Sequence, residues 1–187
     1  MHREKVFNEL RRKFPHDVLK RESSEGIFDF LHGLIRLRRP DHVVEMGCFH
    51  GETTAFMVQA LYQNERGVLS AYDVLESACD HTEILLENLF GDEDERRFLV
   101  DKKDLKEAGE ESIQCDFAFI DVDPKSLYPQ MVRKLQMPQA ATICLHDTHL
   151  DTQSKLDIHP ALIMIQKMGF DIVNIKQERG LAVCVRS

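Results

Sequence analysis

Five short apolar runs, at about residues 42–47, 68–74, 97–101, 116–122 and 140–145, recur along this chain with helix-patterned stretches between them. Runs of that length, mostly uninterrupted by charge, read as buried strands, and strands separated by helices pair in parallel through crossovers. The helical stretches fall at about 53–64, 80–89, 105–113 and 126–137, the fourth requiring Pro129 in its first turn. Upstream, Val6, Leu10 and Phe14 sit four apart, and Ile27, Phe28, Leu31, Leu34, Ile35 and Leu37 form a broad apolar stripe. Residues 1–40 therefore read as a helical segment closed by Pro40-Asp41. The tail differs. A helix at about 158–168, ending near Gly169, leads to DIVNI and GLAVCVR across the charged turn KQERG, the pattern of an antiparallel hairpin at a sheet edge. The fold class this predicts is α/β: a doubly wound, mostly parallel sheet with helices on both faces and an antiparallel C-terminal hairpin.

A chain of 187 residues suits one domain with a proper core. The formal charge of −8 argues against nucleic acid as a partner, because phosphate binding relies on Lys and Arg. No apolar run approaches the ~20 residues that span a bilayer, so no membrane partner is expected. The amino terminus, MHREKVFNELRRKF, is charged throughout and does not read as a signal peptide. Five scattered cysteines read as reduced core or strand residues. The expected location is the cytoplasm. The acidic run GDEDERR at 91–97 reads as a solvated loop.

The chemistry concentrates at the ends of the strand-like runs. In VVEMGCFHGETT (43–54) an apolar run closes on Glu45, and Gly47 and Gly51 shape a turn before a helix starting near Thr53. Glycines let a ligand approach the backbone, and the helix start adds unpaired N–H donors. His50 within the turn either touches that ligand or is an exposed loop histidine. Asp73 closes the second run in AYDV, where an acid can accept both hydroxyls of a ribose. The GxGxxG fingerprint is absent, which disfavours a pyrophosphate dinucleotide. The reading is a nucleoside-containing ligand.

The fourth run ends FAFIDVD, giving Asp121 and Asp123, and the fifth ends ICLHDTH, giving His146, Asp147 and His149. Adjacent strand ends near a reversal of strand order face one crevice, so Asp121 and Asp147 should meet there. Two carboxylates so placed recruit a hard cation such as Mg²⁺ or Ca²⁺, or raise one pKa; alternatively one caps a helix and the other is solvated. His146 orients Asp147 or acts as a general base. The histidine pair lacks the third soft ligand that zinc needs. No GxSxG elbow or GxxxxGK[ST] loop occurs.

Taken in order, EMGCFHGETT, AYDV, CDFAFIDVD and ATICLHDTH resemble the class I S-adenosylmethionine-dependent methyltransferases. The likeness is to the compact branch of macrocin-type and related sugar or small-molecule O-methyltransferases, with catechol O-methyltransferase more distant, and it covers residues 30–187. It implies a seven-stranded Rossmann-like methyltransferase fold, with residues 41–187 as the S-adenosylmethionine-binding domain and residues 1–40 as a lid or dimer contact. It implies that Glu45, Gly47 and the turn through His50 and Gly51 to Thr53 hold the methionine part of S-adenosylmethionine. Asp73 would hold the ribose, and Asp104, in LVDKKD, would approach the adenine. Asp121 would lie beside the sulfonium and, with Asp147, ligate a divalent cation such as Mg²⁺ in metal-dependent members. Asp121, His146 and Asp147 are the catalytic candidates. The chain departs from the family pattern at Pro124, Gln139-Ala140 and Thr148. The expected activity is O-methylation of a small molecule or sugar, with possible metal assistance and a homodimer as partner state. The alternative is a non-catalytic methyltransferase-like binding or scaffold domain.

Overall fold

In a computed structural model, residues 25–91, 95–107, 111–149, 152–175 and 179–186 are described. Helix α1, Glu25–Arg38, buries Ile27, Phe28, Leu31 and Ile35. That stripe packs on α2, Glu52–Asn64, with the Phe28 and Phe56 rings stacked 4.9 Å apart. The described part of the amino-terminal segment is thus built into the outer layer of the domain. Val6, Leu10 and Phe14 lie outside the described residues.

The chain then alternates. Strand β1, His42–Met46, leads through the glycine turn to α2; β2, Val68–Asp73, leads to α3, Glu76–Phe90; and β3, Phe98–Lys102, follows. After a two-residue strand β4, Ile113–Gln114, comes β5, Phe117–Ile120. A single 3₁₀ turn, Lys125–Leu127, enters α4, Tyr128–Lys134, with Pro129 in the first turn as its fixed φ requires. Strands β6, Leu135–Gln136, and β7, Thr142–His146, precede α5, Thr152–Lys167, and the hairpin β8, Asp171–Ile175, and β9, Leu181–Val185. The main sheet has seven strands in the order β3-β2-β1-β5-β7-β9-β8. Its first four pairings are parallel and the two made by β9 are antiparallel.

Alternation along the strands sorts the core. Val43, Phe117 and Phe119 face the layer of α1, α2 and α3, whereas Val44, Met46, Ala118 and Ile120 face α4 and α5. Each large side chain so buried contributes about 1.5–3 kcal/mol. The order of strands reverses at β1, with β2 on one side and β5 on the other, and a crevice opens at their carboxyl ends.

Two expectations need correction. Among the described residues of the helix predicted at 105–113, none is helical: Leu105 sits in a turn and Ile113–Gln114 pair in parallel with Leu135–Gln136. Leu105 is the lone large apolar residue before Ile113, so this stretch has no stripe to bury, and Gly109 at its centre opposes a helix by about 1 kcal/mol. The helix predicted from 158 begins instead at Thr152. Pro160 lies inside it and withholds one backbone donor, but Ile158, Ala161 and Ile165 are fully packed and carry the helix through. Residues 152–157, before the expected start, are therefore the first turns of α5.

Candidate active site

Strand register brings the site together. Met46 pairs with Tyr72 and with Ile120, and Ile120 with Leu145, so Gly47, Asp73, Asp121 and His146 each stand one residue past these paired positions, at the carboxyl ends of adjacent strands. The Gly47 N–H donates to the Tyr72 carbonyl at 2.8 Å, and the Asp121 N–H to the Met46 carbonyl at 2.9 Å. Asp73 ties two turns to each other. Its Oδ2 accepts the Phe49 N–H at 3.1 Å and its Oδ1 the Leu75 N–H at 3.0 Å. Asp104 similarly accepts the Lys106 N–H at 2.9 Å.

These ends enclose a cleft of about 380 Å³ that runs from Gly47 and Phe49, past Tyr72 and Asp73, to Leu105 on one side and Asp121 on the other. Five aspartates (73, 104, 121, 123 and 147) and three basic residues (Lys103, Lys106 and Arg179) line it. The lining therefore favours a cation over a polyanion.

Gly47, Asp73, Asp104, Asp121 and Asp147, all expected from the sequence, share this cleft. Glu45, His50, Gly51, Thr53 and His146 stand outside its lining. Glu45 is fully buried, with the Thr54 hydroxyl donating to its Oε2 at 2.5 Å, while its Oε1 has no hydrogen-bond partner among the described residues. Burial pushes its carboxyl up to about 8. The His50 ring packs on Phe49 at 3.8 Å and lies 6.1 Å from His81 of α3. Gly51 caps α2 against Thr82 of α3, and Thr53 is half-buried in the first turn of α2. His146 is buried behind Asp121, its Nδ1 2.8 Å from Asp121 Oδ2.

Two residues not singled out in the sequence complete the site. Lys125 Nζ lies 3.0 Å from Asp121 Oδ1, 3.2 Å from Asp123 Oδ1 and 2.8 Å from Asp147 Oδ2. Arg179 clasps Asp147 from the other side, Nε to Oδ1 at 2.6 Å and a terminal nitrogen to Oδ2 at 2.7 Å. The turn before β9 places that arginine: the His149 N–H donates to the Arg179 carbonyl at 2.9 Å and the Thr148 N–H to the Gly180 carbonyl at 3.3 Å. A Cβ on Gly180 would meet His149 Nδ1 at 2.4 Å, so glycine is what lets the two turns close. The signal for Lys125 was its place four residues after Asp121 in IDVDPK. Arg179 had none beyond lying in KQERG.

The charges interlock. Burial alone would depress the Lys125 ammonium, but Asp121 and Asp147 outweigh it and hold the group protonated, above its ordinary range. Burial alone would raise Asp121, but the hydrogen bond from His146 and the charge of Lys125 hold its carboxyl well below the usual range. Asp121, His146 and Asp147 bring ligand atoms within 4.8 Å of one another, and Asp121 and Asp147 are the pair at which a divalent cation was expected. Both oxygens of Asp121 and both of Asp147 already face Lys125, His146 or Arg179. The set does not fit such a cation without displacing a tethered one.

No protein-family model matches the chain. No curated protein matches it either. Solved structures do. An SAH-bound methyltransferase of Podospora anserina aligns over 100% of this chain and 89% of its own, at 12% identity and a TM-score of 0.78. An O-methyltransferase of Bacillus cereus in complex with SAH aligns over 100% and 92%, at 16% identity and a TM-score of 0.74. An O-methyltransferase of Streptomyces achromogenes involved in tomaymycin synthesis, in complex with SAM, aligns over 100% and 91%, at 15% identity and a TM-score of 0.71. At these identities the likeness is one of fold, and it agrees with the strand order and the hairpin described above. The chain has the class I S-adenosylmethionine-dependent methyltransferase fold, and resembles the small-molecule O-methyltransferases that share it.

Proposed function

We propose that this protein transfers the methyl group of S-adenosylmethionine to a hydroxyl oxygen of a small molecule. The observation that carries the reading is the shared cleft. Gly47, Asp73, Asp104 and Asp121 come from four different strand ends and line one crevice at the reversal of strand order.

Each part of the cofactor finds a chemical complement. The ribose diol donates to Asp73, whose two oxygens each accept one backbone N–H and retain a further lone pair. Tyr72, Val74, Leu75 and Leu105 offer apolar surface to the adenine, with Asp104 as an acceptor at its edge. The sulfonium is a fixed cation, and an excess of aspartate over lysine and arginine in the lining favours it. That same excess disfavours a pyrophosphate, in agreement with the missing dinucleotide fingerprint.

Transfer is in-line displacement at the methyl carbon. The acceptor oxygen attacks from about 3 Å, the carbon–sulfur bond breaks, and the electron pair leaves on sulfur as the neutral thioether. The hydroxyl proton passes to Asp123, which faces the cleft, while Asp121, held ionised by Lys125 and His146, orients the acceptor hydroxyl. His146 does not touch the cleft and works through Asp121 as a positioning residue. The volume of about 380 Å³ suits one molecule of the cofactor's size.

Calorimetry with S-adenosylmethionine and its demethylated product tests the binding arm. Radiolabelled methyl transfer to a panel of sugars, catechols and hydroxy acids tests the chemistry. Absence of binding heat sinks the reading, whereas tight binding without turnover on any hydroxyl compound supports a non-catalytic binding domain.

A further inference from the structure

We infer that Lys125, braced by Arg179, stands in the place of a divalent cation, so that the acid cluster at the cleft floor works without bound metal. The inference rests on the cleft being the methyl-transfer site. An ammonium has three N–H bonds, and Lys125 has three carboxylate partners, Asp121, Asp123 and Asp147, at 3.0, 3.2 and 2.8 Å. Those are N–H···O distances; Mg²⁺ and Ca²⁺ draw oxygens to about 2.0–2.6 Å. The lysine is 6% exposed and Asp147 fully buried, so neither swings into solvent without opening the floor.

Arg179 closes the remaining approach. It engages both oxygens of Asp147 in the bidentate geometry that matches a carboxylate to a guanidinium. A metal entering here would have to dislodge Lys125 or Arg179 and then sit against the displaced charge. Its absence from the mechanism costs nothing in acid placement, because the tethered cations already hold Asp121 and Asp147 together against their mutual repulsion. Lys125 is accordingly a positioning residue: it is not among the groups that line the cleft, and it acts through the carboxylates that do.

Mn²⁺ serves as the probe, with free ion followed by electron paramagnetic resonance in the presence of the full chain. The wild type is expected to bind Mn²⁺ weakly at the cleft. Lys125→Ala and the double variant with Arg179→Ala are expected to bind it at least about tenfold more tightly, because they free carboxylate oxygens. Methyl transfer by the wild type should also survive dialysis against EDTA. Stoichiometric, micromolar Mn²⁺ binding by the wild type that Asp147→Asn abolishes would overturn the inference. So would equally weak binding by wild type and variants, since the acids would then form no cation site at all. If Lys125→Ala does not fold, Arg179→Ala and the wild-type titration still decide. A failure of S-adenosylmethionine binding would count against the methyltransferase reading alone, because the Mn²⁺ titration does not depend on turnover.

Discussion

A Cβ atom on Gly47 would lie 2.2 Å from the carbonyl oxygen of Asp121. The loop after β1 thus rests directly on the end of β5, and that contact is what puts the glycine turn beside the acid. Gly47 also has φ +92°, a region costly for any residue with a side chain.

Gly47→Ala is therefore expected to destabilise the fold by about 2 kcal/mol or more and to weaken S-adenosylhomocysteine binding at least about tenfold. Gly33→Ala is the control. Gly33 is exposed in α1 with nothing within 4 Å of a built Cβ, so alanine there should stabilise by roughly 0.5–1 kcal/mol. Urea denaturation and calorimetry on both variants check the contrast. Equal behaviour of the two would mean that the turn is more pliable than its contacts indicate.

Asp73 is expected to dominate cofactor affinity. Asp73→Asn keeps the shape but replaces one acceptor oxygen by an amide NH₂. One of the Phe49 and Leu75 N–H groups then faces a donor, and the ribose loses a charge-assisted bond worth about 1.5–3 kcal/mol. The dissociation constant for S-adenosylhomocysteine should rise by roughly ten- to a hundredfold, measured by calorimetry. An unchanged constant would place the ribose elsewhere in the cleft.

Much of this was legible in the sequence because the signals were local. The acid–glycine–glycine turn, AYDV and the two aspartate-terminated runs each announce a strand end, and parallel pairing in register does the rest. The cation cluster was not legible. Lys125 drew no reading, standing just before the helix expected at 126–137, and Arg179 was part of a charged turn; their meeting at Asp147 depends on β9 inserting between β7 and β8. Glu45 was legible as a strand-end acid but not as a buried one, because alternation directs its side chain beneath the turn to Thr54. The helix expected at 105–113 failed, in its described residues, for the opposite reason: its charged residues matched a helix surface, yet Leu105 and Ile113, eight apart, were the large apolar residues available to bury.

Glu45 gives stability a pH dependence. Its carboxyl is pushed by burial to about 8 in the fold, above the ordinary value of 4.5, so between those values the folded state holds a proton that the unfolded chain has lost. Stability from this group is fully present below about 4.5 and falls as pH rises, by about 1.4 kcal/mol per pH unit while the difference persists. Glu45→Gln removes the ionisation. The variant should gain on the wild type as pH is raised from 5 to 8, by a few kcal/mol at most, in urea melts without cofactor. A pH-independent difference would show that the acid is already ionised in the fold.

Asp147 is held in the left-handed region at φ 57°, which asparagine also tolerates, so Asp147→Asn changes the charge and leaves the backbone as it is. The charge matters because Lys125 and Arg179 both depend on it: breaking a buried pair costs about 3–5 kcal/mol, and the 29% exposure of Arg179 moderates that figure. A loss of about 2–4 kcal/mol in unfolding free energy is expected, with methyl transfer falling more than S-adenosylhomocysteine affinity, because the proposed ribose and adenine contacts are at Asp73 and Asp104. Adding Arg179→Met removes the orphaned cation, so the double variant should be less destabilised than the sum of the single changes by about 1 kcal/mol or more. Additive losses would instead mean that Arg179 and Asp147 contribute independently, and that the arginine is held by the turn before β9 rather than by the carboxylate.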